Sequence, residues 1–552
     1  MKSPKLKNSS FMFRKNSSIG SADAIEDTNY LHEAFVDTGD LEILRDTGKP
    51  QCIAVGRTGA GKTALLEYLK KSEDHVIKID VSNLALNYIS NDTVIKYFED
   101  LGINLDPFYK LLWRHILAVE VIRKNQEIHD ESANKNFIAG MRQKFAKQGR
   151  KLEAFNYFAK WNSSFWKDTD EQLQGITRNT AKELGTAAKA AVGIDVNDLS
   201  SGFQLASNRK ETITEEQKVL ISKRGQEVIN RVQIAKLSRI LNIIDEDLLS
   251  DPQKPYYITI DRLDEDWVDS QLRYKLIRAL LETVRDFNAK VKNLKIIIAL
   301  REDLIDRVFQ QTRSSGQQEE KYKSMNLRVG WKKSQLIDLI DKRVNLMIRE
   351  KYTSQKVDLK SILPNKVTRK EEDPTDYMIT RTMMRPRDII MFFNDCIEAA
   401  EGKAKISKQN LLEAEEKYSL DRLRALADEW SSDYPNLIKL SLCMKKFPKK
   451  FKHNEVKVLE IFEANVLEFL SSDTVEKDHI YFMCQEKFNA SQILSLLDES
   501  LKILFRVGAI GVKSESYNHP HWSYLGQKVL STNDESIFYV HPMFWRVLGV
   551  KP

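Results

Sequence analysis

The sequence predicts an α/β chain: a parallel-sheet core, a large helical insertion within it, a helical lid and a C-terminal winged-helix-like domain. Three observations lead there. A glycine-rich loop lies between an apolar run and a helical pattern at residues 53–71. Unbroken apolar runs return far downstream, in "PYYITID" and "LKIIIALRED", as in strands buried on both faces. The stretch between them, from 107 to 250, carries helical patterns and almost no strand signal.

Taken in order, residues 1–20 read as a disordered basic tail without the apolar stretch of a secretory signal. Residues 21–106 form the first part of the core. "CIAV" is its first strand, and "HVIKIDVS", with Val76, Ile77 and Ile79, its second. The insertion at 107–250 holds helical segments such as "FYKLLWRHILAVEVIRK" and "LISKRGQEVINRVQIAKLSRILNII", around a polar loop, "AVGIDVNDLSSGFQLASNRKETIT". The core resumes at 251–350. Leu272, Leu276, Ile277, Leu280, Leu281 and Val284 there line one helical face, and "LRVGW" reads as a last strand. Residues 351–430 read as the lid. Residues 431–552 end in "LFRVGAIGVKSES", "HWSYLG" and "SIFYVHPMFWRVLG", the rhythm of a winged helix.

Composition sets bounds on function. With 552 residues, 42% hydrophobic and 30% charged, the chain suits several soluble cores rather than disorder. No apolar run is long enough to cross a bilayer, so no membrane partner is expected. Cys52, Cys396, Cys443 and Cys484 are scattered and form no C-x-x-C, which fits a reduced, cytoplasmic setting without a zinc site or disulfide framework. A net charge of +7 permits an anionic partner without requiring one.

The loop Gly56-Arg57-Thr58-Gly59-Ala60-Gly61-Lys62-Thr63 fits G-x-x-x-x-G-K-[ST] in full. Glycines let backbone N–H groups approach phosphates with no Cβ in the way. The helix that follows aims its positive end at the same anion. Lys62 would reach the β- and γ-phosphates, and Thr63 would offer its hydroxyl to Mg²⁺. The expected core is therefore that of a P-loop NTPase, with ATP and Mg²⁺ as ligands. Such a site needs an acid at a neighbouring strand end. Asp261 follows Ile258 and Ile260 and would hold Mg²⁺. Asp264, with Glu265 as the alternative, would be the general base or orient water.

The loop, "ITIDRLDE", "IIIALRED" and "MMRPRDIIMFFNDCI" come in the order expected of AAA+/STAND ATPases. The chain resembles the initiator-like and KAP-like members of that group. Its opening, through "GRTGAGKTAL", looks like a bacterial P-loop family labelled FunZ-like. The resemblance covers about residues 20–100 and 255–400, with a winged-helix-like tail. It implies a sheet in the order 5-1-4-3-2, with the acid strand one place removed from the loop strand. It implies a γ-phosphate sensor at Arg301 and a lid arginine at Arg385 or Arg387, with Arg387 preferred. Arg307 and Arg313 fall where trans-acting fingers sit. Arg262 stands where many related ATPases carry a glutamate, so the acid spacing is Asp261 to Asp264.

"CMKKFPKKFKH" at 443–453 interleaves lysines with two phenylalanines, a pattern for gripping nucleic acid or for a linker docked on its neighbour. His519 and His521 have no ligand-spaced companions and read as a wing-tip turn. The expected function is a regulatory ATPase that acts as a nucleotide-driven switch, through homo-oligomers or a separate effector. The resemblance points to antiviral defence or DNA maintenance. The alternatives are a DNA-binding initiator-like loader and an ATP-bound scaffold with little turnover.

Overall fold

The computed structural model describes residues 11–82, 104–128, 135–161, 234–265, 267–313, 319–351, 357–367, 372–472, 476–514, 519–526, 530, 532–533 and 535–551. The polar loop expected within the insertion, and residues 1–10 of the expected tail, lie outside them. The chain divides into two compact bodies, one of residues 39–56 and 65–328, the other of the remainder.

The first body is built on a five-stranded parallel sheet. Its strands are β1 (Ile53–Gly56), β2 (Val76–Ile79), β3 (Tyr256–Ile260), β4 (Leu294–Arg301) and β5 (Asn326–Arg328). Their order is β2-β3-β4-β1-β5, so the expected order is found. Register follows from burial on both faces: Ile53 pairs with Ile298, and Ile260 with the same Ile298 from the other side. Seven of the eight positions of β4 are buried, as its unbroken apolar run requires. A short helix, α1 (Asp40–Arg45), precedes β1, and α2 (Lys62–Ser72) follows the glycine loop.

The insertion joins the core of this body. Its described helices are α3 (Asp106–Asn125), α4 (Lys135–Phe145), α5 (Gly149–Trp161) and α6 (Ile234–Ile243). α3 packs on α7 (Ser270–Lys290), and Trp113 Nε1 donates to the Leu276 carbonyl at 2.9 Å. Buried side chains of α3 and α5 are continuous with those of β3, β4 and α7. Helix α8 (Glu302–Gln311) then leads towards β5. "LRVGW" is a strand only at its start, because β5 stops at Arg328.

The second body contains α9 (Lys333–Lys351), α10 (Pro374–Thr380), α11 (Pro386–Ala399) and α12 (Lys408–Glu429). It goes on with β6 (Lys450–Phe451), α13 (Val456–Leu470), α14 (His479–Asn489), α15 (Ile493–Val507), β7 (Ile510–Lys513) and β8 (Ile537–Val540). β6, β8 and β7 form a three-stranded antiparallel sheet in that order. The boundary expected near 430 falls at the end of α12, but the apolar core runs on from Phe392 and Tyr418 to Phe538 and Phe544. Ser419 Oγ donates to the Met543 carbonyl at 2.6 Å across that boundary.

The expected free tail is corrected for residues 11–20. Phe13 and Ile19 are buried, the Phe13 N–H donates to the Lys403 carbonyl at 2.9 Å, and the Gly402 N–H donates to that of Phe13 at 2.8 Å. The basic, polar composition hid two apolar anchors whose burial offsets the loss of chain freedom.

Candidate functional site

β1 ends at Gly56, and α2 begins six residues later at Lys62. The turn between them needs the left-handed backbone region at Gly59 (φ 78°) and Gly61 (φ 98°), where a side chain would be strained. Leu65, Leu66 and Leu69 are buried and fix the face of α2. The loop bonds to itself: the Arg57 carbonyl accepts from the Ala60 N–H at 3.1 Å and from Lys62 Nζ at 3.0 Å. Thr58 Oγ1 is buried and makes no hydrogen bond among the described residues. The Thr58 and Thr63 hydroxyls, the Lys62 ammonium and the loop N–H groups can all donate, which suits an anion.

Loop residues 57–64 belong to the second body, and three other residues of that body bond to them. Trp331 Nε1 donates to the Ala60 carbonyl at 2.8 Å, and Arg385 Nη1 donates to the Thr58 carbonyl at 3.1 Å. The Arg387 N–H donates to the Gly59 carbonyl at 3.4 Å. A Cβ on Gly59 would lie 2.9 Å from Arg387 Cβ, so glycine is required there for contact as well as for φ.

Of the two candidate lid arginines, Arg385 and the preferred Arg387, the one whose guanidinium meets the loop is Arg385. Arg387 Nε donates away from the loop, to the Ala22 carbonyl at 3.3 Å. Arg385 is buried and holds Asp388 at 2.7 Å and Glu429 at 3.2 Å. Burial alone would lower its pKa, but Asp388 and Glu429 outweigh it and keep the guanidinium charged. Burial likewise works to raise Asp388, and Arg385 with Arg422 holds its carboxyl below the usual range. Pro386 opens α11, so Asp388 lies in its first turn and draws Arg385 back over the helix start.

In the first body, Asp261 follows the last residue of β3, and its Oδ1 accepts from the Arg262 N–H at 2.8 Å. Arg262 has φ 60°, which turns the chain sharply after the strand. Asp264 Oδ2 lies 3.5 Å from Arg301 Nη1, and Arg301 also grips Asp303 with two bonds of 3.0 and 2.9 Å. The strand ends thus bring Asp264 to Arg301, and the salt bridge of Arg301 with its neighbour Asp303 is formed as well. Glu265 pairs with Arg262 at 3.5 Å. Burial is the chief cause that raises the Glu265 pKa; Arg262 opposes it, and Asp264, Asp261 and Asp80 add to it. Arg307 lies 3.4 Å from Asp303, and Arg313 is exposed. Among the described residues no three His, Cys, Asp or Glu side chains are grouped to hold a metal. Thr63 and Asp261 remain the residues of the right chemistry for Mg²⁺, a hydroxyl and a carboxylate oxygen.

Residues 334–427 match the FunZ-associated C-terminal helical domain, which spans most of α9 and all of α10 and α11, and reaches into the last turn of α12. This agrees with the FunZ-like resemblance of the sequence. The chain is 23% identical to an Escherichia coli (strain K12) protein named "Putative transposon gamma-delta 80.3 kDa protein", over 97% of this chain and 67% of the relative. No solved structure matches the chain.

The lysine-rich stretch does not present its phenylalanines. Phe447 and Phe451 are buried and pack edge to face, and Phe451 stacks on Phe538. Lys445, Lys446 and Lys450 are exposed. His521 bridges Val512, the turn expected beside it lies outside the described residues in part, and His519 is exposed. No helix among the described residues is long and apolar enough to cross a membrane. Sequence reasoning missed Trp331, whereas it placed Asp388 at the positive end of the helix that Pro386 opens. Trp331 had no signal, because its partner is a backbone carbonyl 271 positions away.

Proposed function

We propose that this chain is an ATP-binding and ATP-hydrolysing regulatory ATPase of the P-loop class, whose nucleotide cycle repositions its C-terminal domain. The observation that carries this reading is the loop: a buried parallel strand, left-handed Gly59 and Gly61, an orphan buried Thr58 hydroxyl, and Lys62 and Thr63 opening a helix. Loop N–H groups and Lys62 bind the phosphates. Thr63 and Asp261 carry the hydroxyl and carboxylate oxygens that would hold Mg²⁺, and the ion would neutralise phosphate charge. Asp264 accepts the proton of the attacking water and is oriented by Arg301. Arg385, fixed over the loop by Asp388 and Glu429, supplies the lid cation.

The order β6, three helices, β7, β8 supports a winged-helix reading of the last domain. Similarity to a transposon protein supports DNA maintenance on a mobile element as the setting, with a homo-oligomer or effector carrying the output. The test is Lys62→Ala. Release of phosphate from ATP should vanish and nucleotide binding should weaken, because the phosphates lose a point charge. Unchanged turnover in a folded variant would refute the reading.

A further inference from the structure

The side chain of Arg57 leaves the loop and ends on the C-terminal domain. Its Nη2 donates to the carbonyl of Val507, the last residue of α15, at 2.9 Å. Its Nη1 lies 3.3 Å from Met383 Sδ, and its Nε lies 4.0 Å from Glu429. The end of α15 is shaped to receive it. Gly508 caps the helix in the left-handed conformation (φ 89°), and a Cβ there would stand 2.9 Å from Arg57 Nη1. The last turn of a helix leaves carbonyls without intrahelical partners and carries partial negative charge. Arg57 therefore serves as the cationic cap of α15, contributed by a loop 450 positions earlier.

The backbone of the same residue is the pivot of the loop. The Arg57 carbonyl holds the Lys62 ammonium and the Ala60 N–H, the kinds of donor that an anion in this loop would take. When Lys62 and the loop N–H groups turn to a phosphate, the Arg57 carbonyl gives up these two bonds and the Arg57 peptide shifts. Binding in the loop and seating of α15 thus compete for one residue.

We infer that Arg57 couples the two: the self-bonded loop holds α15 seated, and a triphosphate in the loop loosens it. The inference rests on the phosphate-binding reading above and names its transmission element. Coupling is reciprocal, so whatever factor nucleotide applies to α15, unseating α15 applies to nucleotide affinity.

Hydrogen exchange of the peptide covering residues 500–512, in the full chain, reads the seating. Mg²⁺ with a non-hydrolysable ATP analogue at saturation should speed its exchange on the order of tenfold, within the ~5–150-fold range of such couplings. Arg57→Ala should speed it without nucleotide and leave nothing further for the analogue to add. Gly508→Ala drives a Cβ against the guanidinium and should raise analogue affinity by the factor seen in wild-type exchange. It also keeps the test decisive should Arg57→Ala fail to fold. Bound analogue that leaves 500–512 unchanged, or Gly508→Ala with wild-type affinity, would overturn the coupling alone. Calorimetric titration of the same wild-type sample separates this from the larger failure: no analogue binding overturns both readings.

Discussion

Acid should loosen the second body through one histidine. His541 is 1% exposed and caps the short turn that starts at Pro542. Its Nδ1 accepts the Met543 N–H at 3.2 Å, so the ring proton sits on Nε2, 3.1 Å from the Tyr524 hydroxyl. A second proton would have to go on Nδ1, facing another donor. Burial pulls the pKa down to about 3; Asp388 works to raise it, while Arg57, Arg385 and Arg381 lower it further. The unfolded chain binds a proton near pH 6.5 and the folded one does not. Stability from this group is therefore complete above about pH 6.5 and is lost as pH falls towards 3. Between pH 6.5 and 5, about 1.5 pH units at about 1.4 kcal/mol each give a loss of about 2 kcal/mol. Carboxylates add their own acid dependence, so the test is a difference. His541→Asn retains an acceptor for the cap but does not titrate. Urea unfolding at pH 7.5 should show the variant less stable by about 1 kcal/mol for the lost Tyr524 contact. At pH 5 the gap should close and reverse, moving by about 2 kcal/mol. A gap that stays constant between the two pH values would refute the argument. So would a ¹³C-histidine NMR titration that places His541 near 6.5.

Asp264→Asn should keep ATP binding and slow hydrolysis by roughly 10²–10⁴-fold in a steady-state phosphate assay, and the same loss in Glu265→Gln but not in Asp264→Asn would move the base to Glu265. Lys295 Nζ donates to the carbonyls of Ile43, Asp46 and Lys49 at 3.0, 2.5 and 2.9 Å, so Lys295→Met should cost about 1–3 kcal/mol in urea unfolding, and a neutral effect would mean that those carbonyls find other partners. Replacing Lys445, Lys446, Lys449 and Lys450 by Ser should weaken duplex DNA binding for all sequences alike and flatten its salt slope, about −0.9 per phosphate contact, while basal ATPase stays intact. Filter binding at two salt concentrations decides this, and wild-type protein that shows no binding at low salt would remove the loader reading.

Local chemistry carried much of this protein in its sequence. A short unbroken apolar run rich in β-branched and aromatic residues fits a strand covered on both faces, so β3 and β4 were readable from "YYITI" and "LKIIIALR". The glycine loop was readable because strand, turn and helix are neighbours in the chain and their constraints are local. The strand order came from resemblance, since parallel pairing joins residues hundreds of positions apart. Composition misled at residues 11–20, where two buried side chains outweigh a polar background. At Phe447 and Phe451 it left two readings, a stacking surface or phenylalanines docked on a neighbour, and both side chains are core. What only tertiary structure decided is where long, charged side chains end. Arg385 and Arg387 are two positions apart at one helix start, yet one guanidinium meets the Thr58 carbonyl and the other the Ala22 carbonyl. Arg57 reads in sequence as one of the phosphate-loop residues, but folding places its side chain on the end of α15. An arginine has several torsions and no periodic signature, and its partners here are backbone carbonyls that every residue supplies. Sequence therefore determined the strand, the loop and the donors, and the packed fold determined which distant acceptor each donor reached.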